Sequence, residues 1–303
     1  MHDVLANYKN GNVKTILLKD GTKIHMMPDD EPAEPAFAES MDITITRKCD
    51  GLCPYCYQDA KNASHSSLRQ YEDLIRSIHP GTEAAIGGND LTHPDLPWLL
   101  NLLKEIGVIA NITVNERHFL AHKDLLKDWT DKELIHGLGV SLYPGYTYHD
   151  QMVKALDDFP DAIVHTVAGV ASTKTYYNIR GVRKVLILGY KQLGRGKDYY
   201  CGRKDVIDNN IKDIAAHLDD ISRIIPTICF DNLAIRQLDL EHLVDPQTWK
   251  THYMGDDGTF SFYLNLADGT YARSSLDPER KIDESTVDGL FFYVRKKVSN
   301  DSK

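Results

Sequence analysis

Two rhythms of apolar residues alternate along the middle of the chain. Met41-Asp42-Ile43-Thr44-Ile45-Thr46 places an apolar side chain at every second position, the period of a half-buried strand. Leu96, Leu99, Leu100, Leu103 and Ile106 recur at helical spacing, and Gly107 ends the stripe. The exchange repeats. It predicts strands over 41–46, 83–88, 108–114, 138–143, 162–167 and 182–190, and helices over 68–78, 94–107, 119–136, 146–158 and 207–225. The stretch 172–180 has no clear period. Strand–helix alternation of this kind implies an α/β fold with a parallel sheet and helices packed on it.

Both ends depart from the rhythm. The runs 13–18 and 22–27 flank Lys19-Asp20-Gly21, an Asp-Gly turn that predicts a hairpin, and Pro28, Pro32 and Pro35 form a linker. A second predicted hairpin pairs 260–266 with 270–273 about Ala267-Asp268-Gly269. The chain is therefore expected to divide into an N-terminal β-hairpin attachment (1–38), a central α/β unit (39–225) and a C-terminal α+β extension (226–303). The first hairpin is read as a cap on the bottom of the sheet or as an edge for a partner peptide.

With 303 residues and 42% hydrophobic content, the chain can bury one sizeable core. A formal charge of -9 argues against gripping a nucleic-acid backbone, which needs a basic face. The start, Met1-His2-Asp3-Val4, lacks a charged-then-apolar signal, and no apolar run has membrane-spanning length, so the chain reads as cytoplasmic with no membrane partner. Of the 5 cysteines, a cluster of neighbours suits reduced thiols better than a disulfide framework.

That cluster is Cys49-Asp50-Gly51-Leu52-Cys53-Pro54-Tyr55-Cys56, directly after the first strand. Thiolates in the order C-x3-C-x2-C can hold three corners of a cubane iron–sulfur cluster and leave its fourth iron open. A zinc knuckle, wanting a fourth ligand, or unrelated cysteines are the alternatives. Ile86-Gly87-Gly88-Asn89-Asp90 ends the second strand, where glycines admit a close ligand and a carbonyl or carboxylate can take an ammonium. Thr113, Asn115 and Ser141 are polar residues toward the ends of the third and fourth strands. Tyr190 closes the sixth, before Leu193-Gly194-Arg195-Gly196. Arg195 suits a carboxylate or phosphate, or is a solvated loop arginine. Cys201 is the candidate catalytic residue, a thiol able to give up a hydrogen atom, with an inert buried cysteine as the other reading. Cys229 reads as packing. The 13 histidines are read as surface or core residues rather than as metal ligands.

The cysteine spacing, the preceding strand and Tyr55 just before the third cysteine resemble the radical S-adenosylmethionine (radical SAM) superfamily. The resemblance implies a partial (β/α)6 TIM-like barrel, a [4Fe-4S] cluster on Cys49, Cys53 and Cys56, and S-adenosylmethionine chelated at the open iron. It implies Tyr55 and Tyr190 beside the adenine, and Asn115 and Ser141 at the ribose and carboxylate. Gly87, Gly88, Asn89 and Asp90 fall where the superfamily carries Gly-Gly-Glu-Pro, with Asn89 in the place of the glutamate that takes the ammonium. The implied activity is reductive cleavage of S-adenosylmethionine to a 5′-deoxyadenosyl radical, which takes hydrogen from a substrate. A flavodoxin or ferredoxin would supply the electron. The Gly-Arg-Gly loop around Arg195 and the second hairpin are similar to those of peptide-modifying members with a SPASM extension. Ser274 and Ser275 stand where that extension would carry a cysteine, so a cluster-free remnant and a peptide or protein substrate are expected. A nucleotide or nucleoside-like substrate held by Arg195, Lys191 or Arg183 is the alternative. A non-catalytic iron–sulfur sensing protein is the alternative of another class.

Overall fold

The computed structural model describes residues 4–28, 31–51, 53–61, 63–87, 91–143, 146 and 149–301, with side chains as far as Arg295. The N-terminal attachment has three antiparallel strands where two were expected: β1 (Val4–Asn10), β2 (Val13–Leu18) and β3 (Lys23–Met26), in the order β1-β2-β3. A register shift between Val4 and Ala6 breaks the period of β1, which is why its pattern is faint.

All six strands of the central unit are present: β4 (Ser40–Thr44), β5 (Glu83–Gly87), β6 (Ile109–Asn115), β7 (Gly137–Ser141), β8 (Ile163–Val167) and β9 (Lys184–Leu188). A further parallel strand, β10 (Thr227–Phe230), lies beside β9 in the stretch assigned to the C-terminal extension. The hairpin of β11 (Ser261–Asn265) and β12 (Thr270–Ala272) joins the same sheet, because β11 runs parallel to β4, and β13 (Arg280–Lys281) follows β12. One 10-stranded sheet results, β10-β9-β8-β7-β6-β5-β4-β11-β12-β13. It is parallel from β10 to β11.

Alternation along these strands separates two faces. Met41, Ile43, Ala84, Ile86, Ile112, Val140, Val164, Val185 and Ile187 are buried with Leu99, Leu103, Phe119, Ile214 and Ile221 of the connecting helices. The opposite phase leaves Ser40, Asp42, Glu83, Ala85, Asn111, Gly137 and His165 on an open face. The 207–225 expectation is two helices, Lys204–Ala216 and Leu218–Ile224, broken at His217. The unassigned 172–180 holds the helix Thr173–Asn178, started where the Ser172 amide donates to Thr175 Oγ1 at 3.1 Å. No helix among the described residues is long and apolar enough to cross a membrane.

The N-terminal sheet lies on the N-terminal ends of the parallel strands. Lys23 reaches Ser40 at 3.0 Å and Glu83 at 2.6 Å, and Lys184 donates to the Asp20 carbonyl at 2.8 Å. Glu39, fully buried, accepts from Asn10 at 3.1 Å and Thr15 at 2.7 Å and pairs with His25 at 2.7 Å. These are the contacts of a cap on the sheet bottom.

Candidate active site

The cysteine loop leaves the C-terminal end of β4, where a parallel sheet opens toward ligands. Its base is closed by backbone: Cys49 donates to the Lys61 carbonyl at 2.8 Å and Lys61 to that of Arg47 at 2.9 Å. Cys49, Cys53 and Cys56 are in no disulfide and are each half-exposed. Burial pushes the Cys53 thiol up to about 11, with Cys56 and Cys49 adding to the rise and Arg195 opposing it. The sulfurs are thus near enough to repel one another as thiolates, and a cationic metal centre removes that repulsion. Among the described residues no three His, Cys, Asp or Glu side chains form a single-ion site. A cubane takes one thiolate per iron, so its ligands spread around it rather than meet at a point. Three sulfurs on one loop fit that group.

A second loop, from beyond β9, is seated on the first. Gly194 has φ +51, and a Cβ there would lie 2.6 Å from the Tyr57 carbonyl oxygen and 2.9 Å from that of Cys56. At Gly196 a Cβ would lie 2.5 Å from the Lys191 carbonyl oxygen and 3.1 Å from that of Tyr55. Only glycine permits this approach. Between them Arg195 donates through Nε to the Cys53 carbonyl at 3.1 Å, and through Nη1 to the Ala60 carbonyl at 2.9 Å and Asp59 at 3.0 Å. Arg195, its side chain 27% exposed, is turned inward and holds the cysteine loop. A further tether runs from Asp50 to Arg117 at 2.8 Å and His118 at 2.9 Å.

The other candidates are placed as follows. The Tyr55 ring meets Tyr199 edge-on at 5.9 Å. Tyr190 is buried beneath the second loop, its hydroxyl donating to the Gly196 carbonyl at 2.7 Å, while Gln237 brackets its backbone at 2.7 and 2.9 Å. Asn115 caps the helix Glu116–Asp131, its Oδ1 accepting from the His118 amide at 2.8 Å. Ser141 ends β7 in register between Asn115 and His165. Gly87 ends β5. Gly88, Asn89 and Asp90 lie outside the described residues, as do Pro144, Gly145, Thr147 and Tyr148 of the loop after β7. Cys201 ends the helix Arg195–Cys201 and is exposed, not buried as one reading had it. Cys229, read as packing, is exposed on β10, the strand at the end of the sheet.

A cavity of about 230 Å³ opens on the face that the helices leave free. Its walls include Asp42, Glu83, Ala85, Asn111, Asp257 and Arg273. Above Asp42, Lys191 Nζ lies 4.2 Å from the Tyr57 ring centroid and donates to Ser275 Oγ at 2.7 Å. Tyr57 neighbours Cys56, so this layer joins cavity to cysteine loop. Burial holds His165 neutral, its pKa lowered to about 4. Of these residues Lys191 and Ser275 drew notice in the sequence. The signal for Asp42 was its phase, a carboxylate between the core residues Met41 and Ile43.

No protein-family model matches the chain. It is similar to a "Probable GTP 3',8-cyclase" of Methanococcus maripaludis, 25% identical over 96 residues, which is 28% of this chain and 32% of that protein. It is also similar to a "GTP 3',8-cyclase" of Petrotoga mobilis, 30% identical over 89 residues, 27% of this chain and 28% of the relative. The chain thus spans less than a third of the length of each.

Proposed function

We propose that the chain is a radical S-adenosylmethionine enzyme whose [4Fe-4S] cluster is held by Cys49, Cys53 and Cys56. The observation that carries this is a loop of three cysteines outside any disulfide, at the C-terminal end of the first parallel strand, clamped by Arg195 from beyond the sixth. The partial likeness to GTP 3',8-cyclases supports it. When bound, the cluster supplies one electron to S-adenosylmethionine and so yields a 5′-deoxyadenosyl radical that removes hydrogen from a substrate. The chain's own share is positioning. Arg195 and the Asp50 tether fix the cysteine loop, and Gly87 leaves room for S-adenosylmethionine at the end of β5. Tyr55, Asn115, Ser141 and Tyr190 border that space, with Gly88, Asn89 and Asp90 as the ammonium side. Cys201, exposed beyond the clamp, is the candidate hydrogen donor.

The consecutive order β4 to β10 suits a partial (β/α) barrel, extended by the β11–β12 hairpin as a SPASM-like remnant without a cluster. In that hairpin region Ser274 binds Asp277 at 2.6 Å and Ser275 binds Lys191, so the serines have work of their own. The divisions 1–38, 39–225 and 226–303 and a flavodoxin or ferredoxin donor belong to the same reading. The substrate is taken as a peptide. A nucleotide is the second reading, favoured by the names of the relatives.

The test is anaerobic reconstitution with iron and sulfide, then dithionite and S-adenosylmethionine, with 5′-deoxyadenosine followed by chromatography. Deoxyadenosine is expected, and Cys53→Ala should lose both it and the brown chromophore while staying folded. A folded chain that takes up no cluster would end the proposal.

A further inference from the structure

We propose that the cavity on the open face is the substrate subsite and that Asp42 receives a primary alkylammonium group there. As a statement about substrate, this rests on the enzyme reading above; as a statement about binding, it stands alone.

The argument begins with the row of the sheet that carries Asp42. In register it reads Tyr263, Asp42, Ala85, Asn111, Gly137. Ala85 and Gly137 present almost no side chain, and Asn111 is folded sideways, its Oδ1 accepting from the Gly137 amide at 2.8 Å. The space beside Asp42 is therefore built by small residues, not left by poor packing. Below, Lys23 of the N-terminal sheet closes it through Ser40 and Glu83. Above, it ends at the Lys191–Tyr57–Ser275 layer next to the cysteine loop.

Charge then selects the occupant. Glu83 is satisfied by Lys23 at 2.6 Å, and Asp257 accepts from Asn232 at 2.8 Å. Arg273 is committed to Asp277 through two contacts, at 3.2 and 2.7 Å. Asp42 differs: among the described residues nothing hydrogen-bonds or ion-pairs with it. It is solvent-accessible on the open face, while the protein packed around the cavity partly desolvates it and raises its pKa; Lys191 opposes the rise, and Asp231 and Asp257 add to it. An accessible carboxylate lining a cavity can accept from a cation with hydrogens to donate, and a primary ammonium has three. A triphosphate finds the opposite. The cations nearby, Lys23, Lys191 and Arg273, already have partners, and three carboxylates would face its charge. The cavity thus separates this chain from the GTP named in its relatives. An alkylammonium could come from a small free amine or from a lysyl side chain of a peptide.

The test is a ligand-observed NMR titration of the full chain, before and after cluster reconstitution, with n-pentylamine, n-pentanol, N-acetyl-Ala-Lys-Ala-amide and GTP. The expected result is saturable binding of pentylamine but not pentanol, weakened roughly tenfold or more in Asp42→Asn. Ala85→Leu, which fills the cavity and leaves the carboxylate, should weaken it similarly and keeps the test open if Asp42→Asn does not fold. Tighter binding of the tripeptide than of pentylamine would identify a peptide source, and its exclusion a small amine. The proposal is overturned if pentylamine does not saturate, if both variants bind it like wild type, or if GTP alone binds. Asp42-dependent binding by a chain that takes up no cluster would sink the enzyme reading and leave this site standing. Deoxyadenosine formation without amine binding would do the reverse.

Discussion

At the scale of single residues, the site depends on side chains that serve backbone. Arg195 satisfies two carbonyl oxygens of the cysteine loop, at Cys53 and Ala60, and its one carboxylate partner, Asp59, belongs to the same loop. Replacing it by Ala takes the side-chain donor from the Ala60 carbonyl and leaves that of Cys53 with the Cys56 amide at 3.2 Å, at a cost of about 1–3 kcal/mol, and loosens the thiols' mutual placement. We expect Arg195→Ala to keep its far-UV circular dichroism but bind clearly less iron per chain on reconstitution. Lys restores the charge without the planar fork, so Arg195→Lys should recover only part of the iron. Wild-type iron content in Arg195→Ala would show that the loop needs no clamp. Gly194→Ala is the stricter case, since its backbone conformation and its contact with the Tyr57 carbonyl both exclude a Cβ. Lower stability is expected there, read as a fall in melting temperature.

At the scale of elements, the N-terminal sheet is held to the body by a buried carboxylate. Burial alone would raise the Glu39 pKa, but hydrogen bonds from His25, Thr15 and Asn10 and the His25 charge outweigh it and lower it from the ordinary 4.5. A group lowered in this way stabilises the fold fully above its unfolded value and loses that contribution as pH falls through the lower folded one. Thermal stability should therefore decline in acid, below pH 4.5, more in wild type than in Glu39→Gln. The variant should cost about 1–3 kcal/mol at neutral pH. Identical acid profiles would mean that Glu39 does not fasten the sheet. Lys23 and His25 are neighbours on β3, so weakening this sheet should also open the floor of the cavity.

At the scale of the whole molecule, one sheet runs from the edge strand β10 to the edge strand β13, with β4 between β5 and β11. Central strands are paired on both sides and covered by helices, whereas β10 and β13 have one neighbour each. Amide hydrogen exchange should be slowest in β4, β5, β6 and β7 and fastest, among the strands of this sheet, in β10 and β13. Equal protection throughout would mean that β11–β13 and β10 open only with the rest. The candidate site lies where the central strands end, so it rests on the part of the fold expected to open last.

Local pattern was enough for much of this. Six parallel strands and most of the helices between them were legible because period two and helical spacing are written in neighbouring residues, and the thiol loop because its cysteines lie within a few positions. What the sequence could not express is contact whose partner is backbone or lies far along the chain. Arg195 binds carbonyl oxygens, which every residue has, so nothing in the order of side chains singles out Cys53 and Ala60 as its partners. The pairing of β11 with β4 is likewise made by backbone groups. Asp42 was visible only as a polar position of an alternating strand, and its isolation was not. That needed Ala85, Gly137 and the hairpin of β11 and β12 brought beside it, and the other charges matched to partners elsewhere. Alternation assigns a side chain to a face; only the folded sheet decides what stands opposite it.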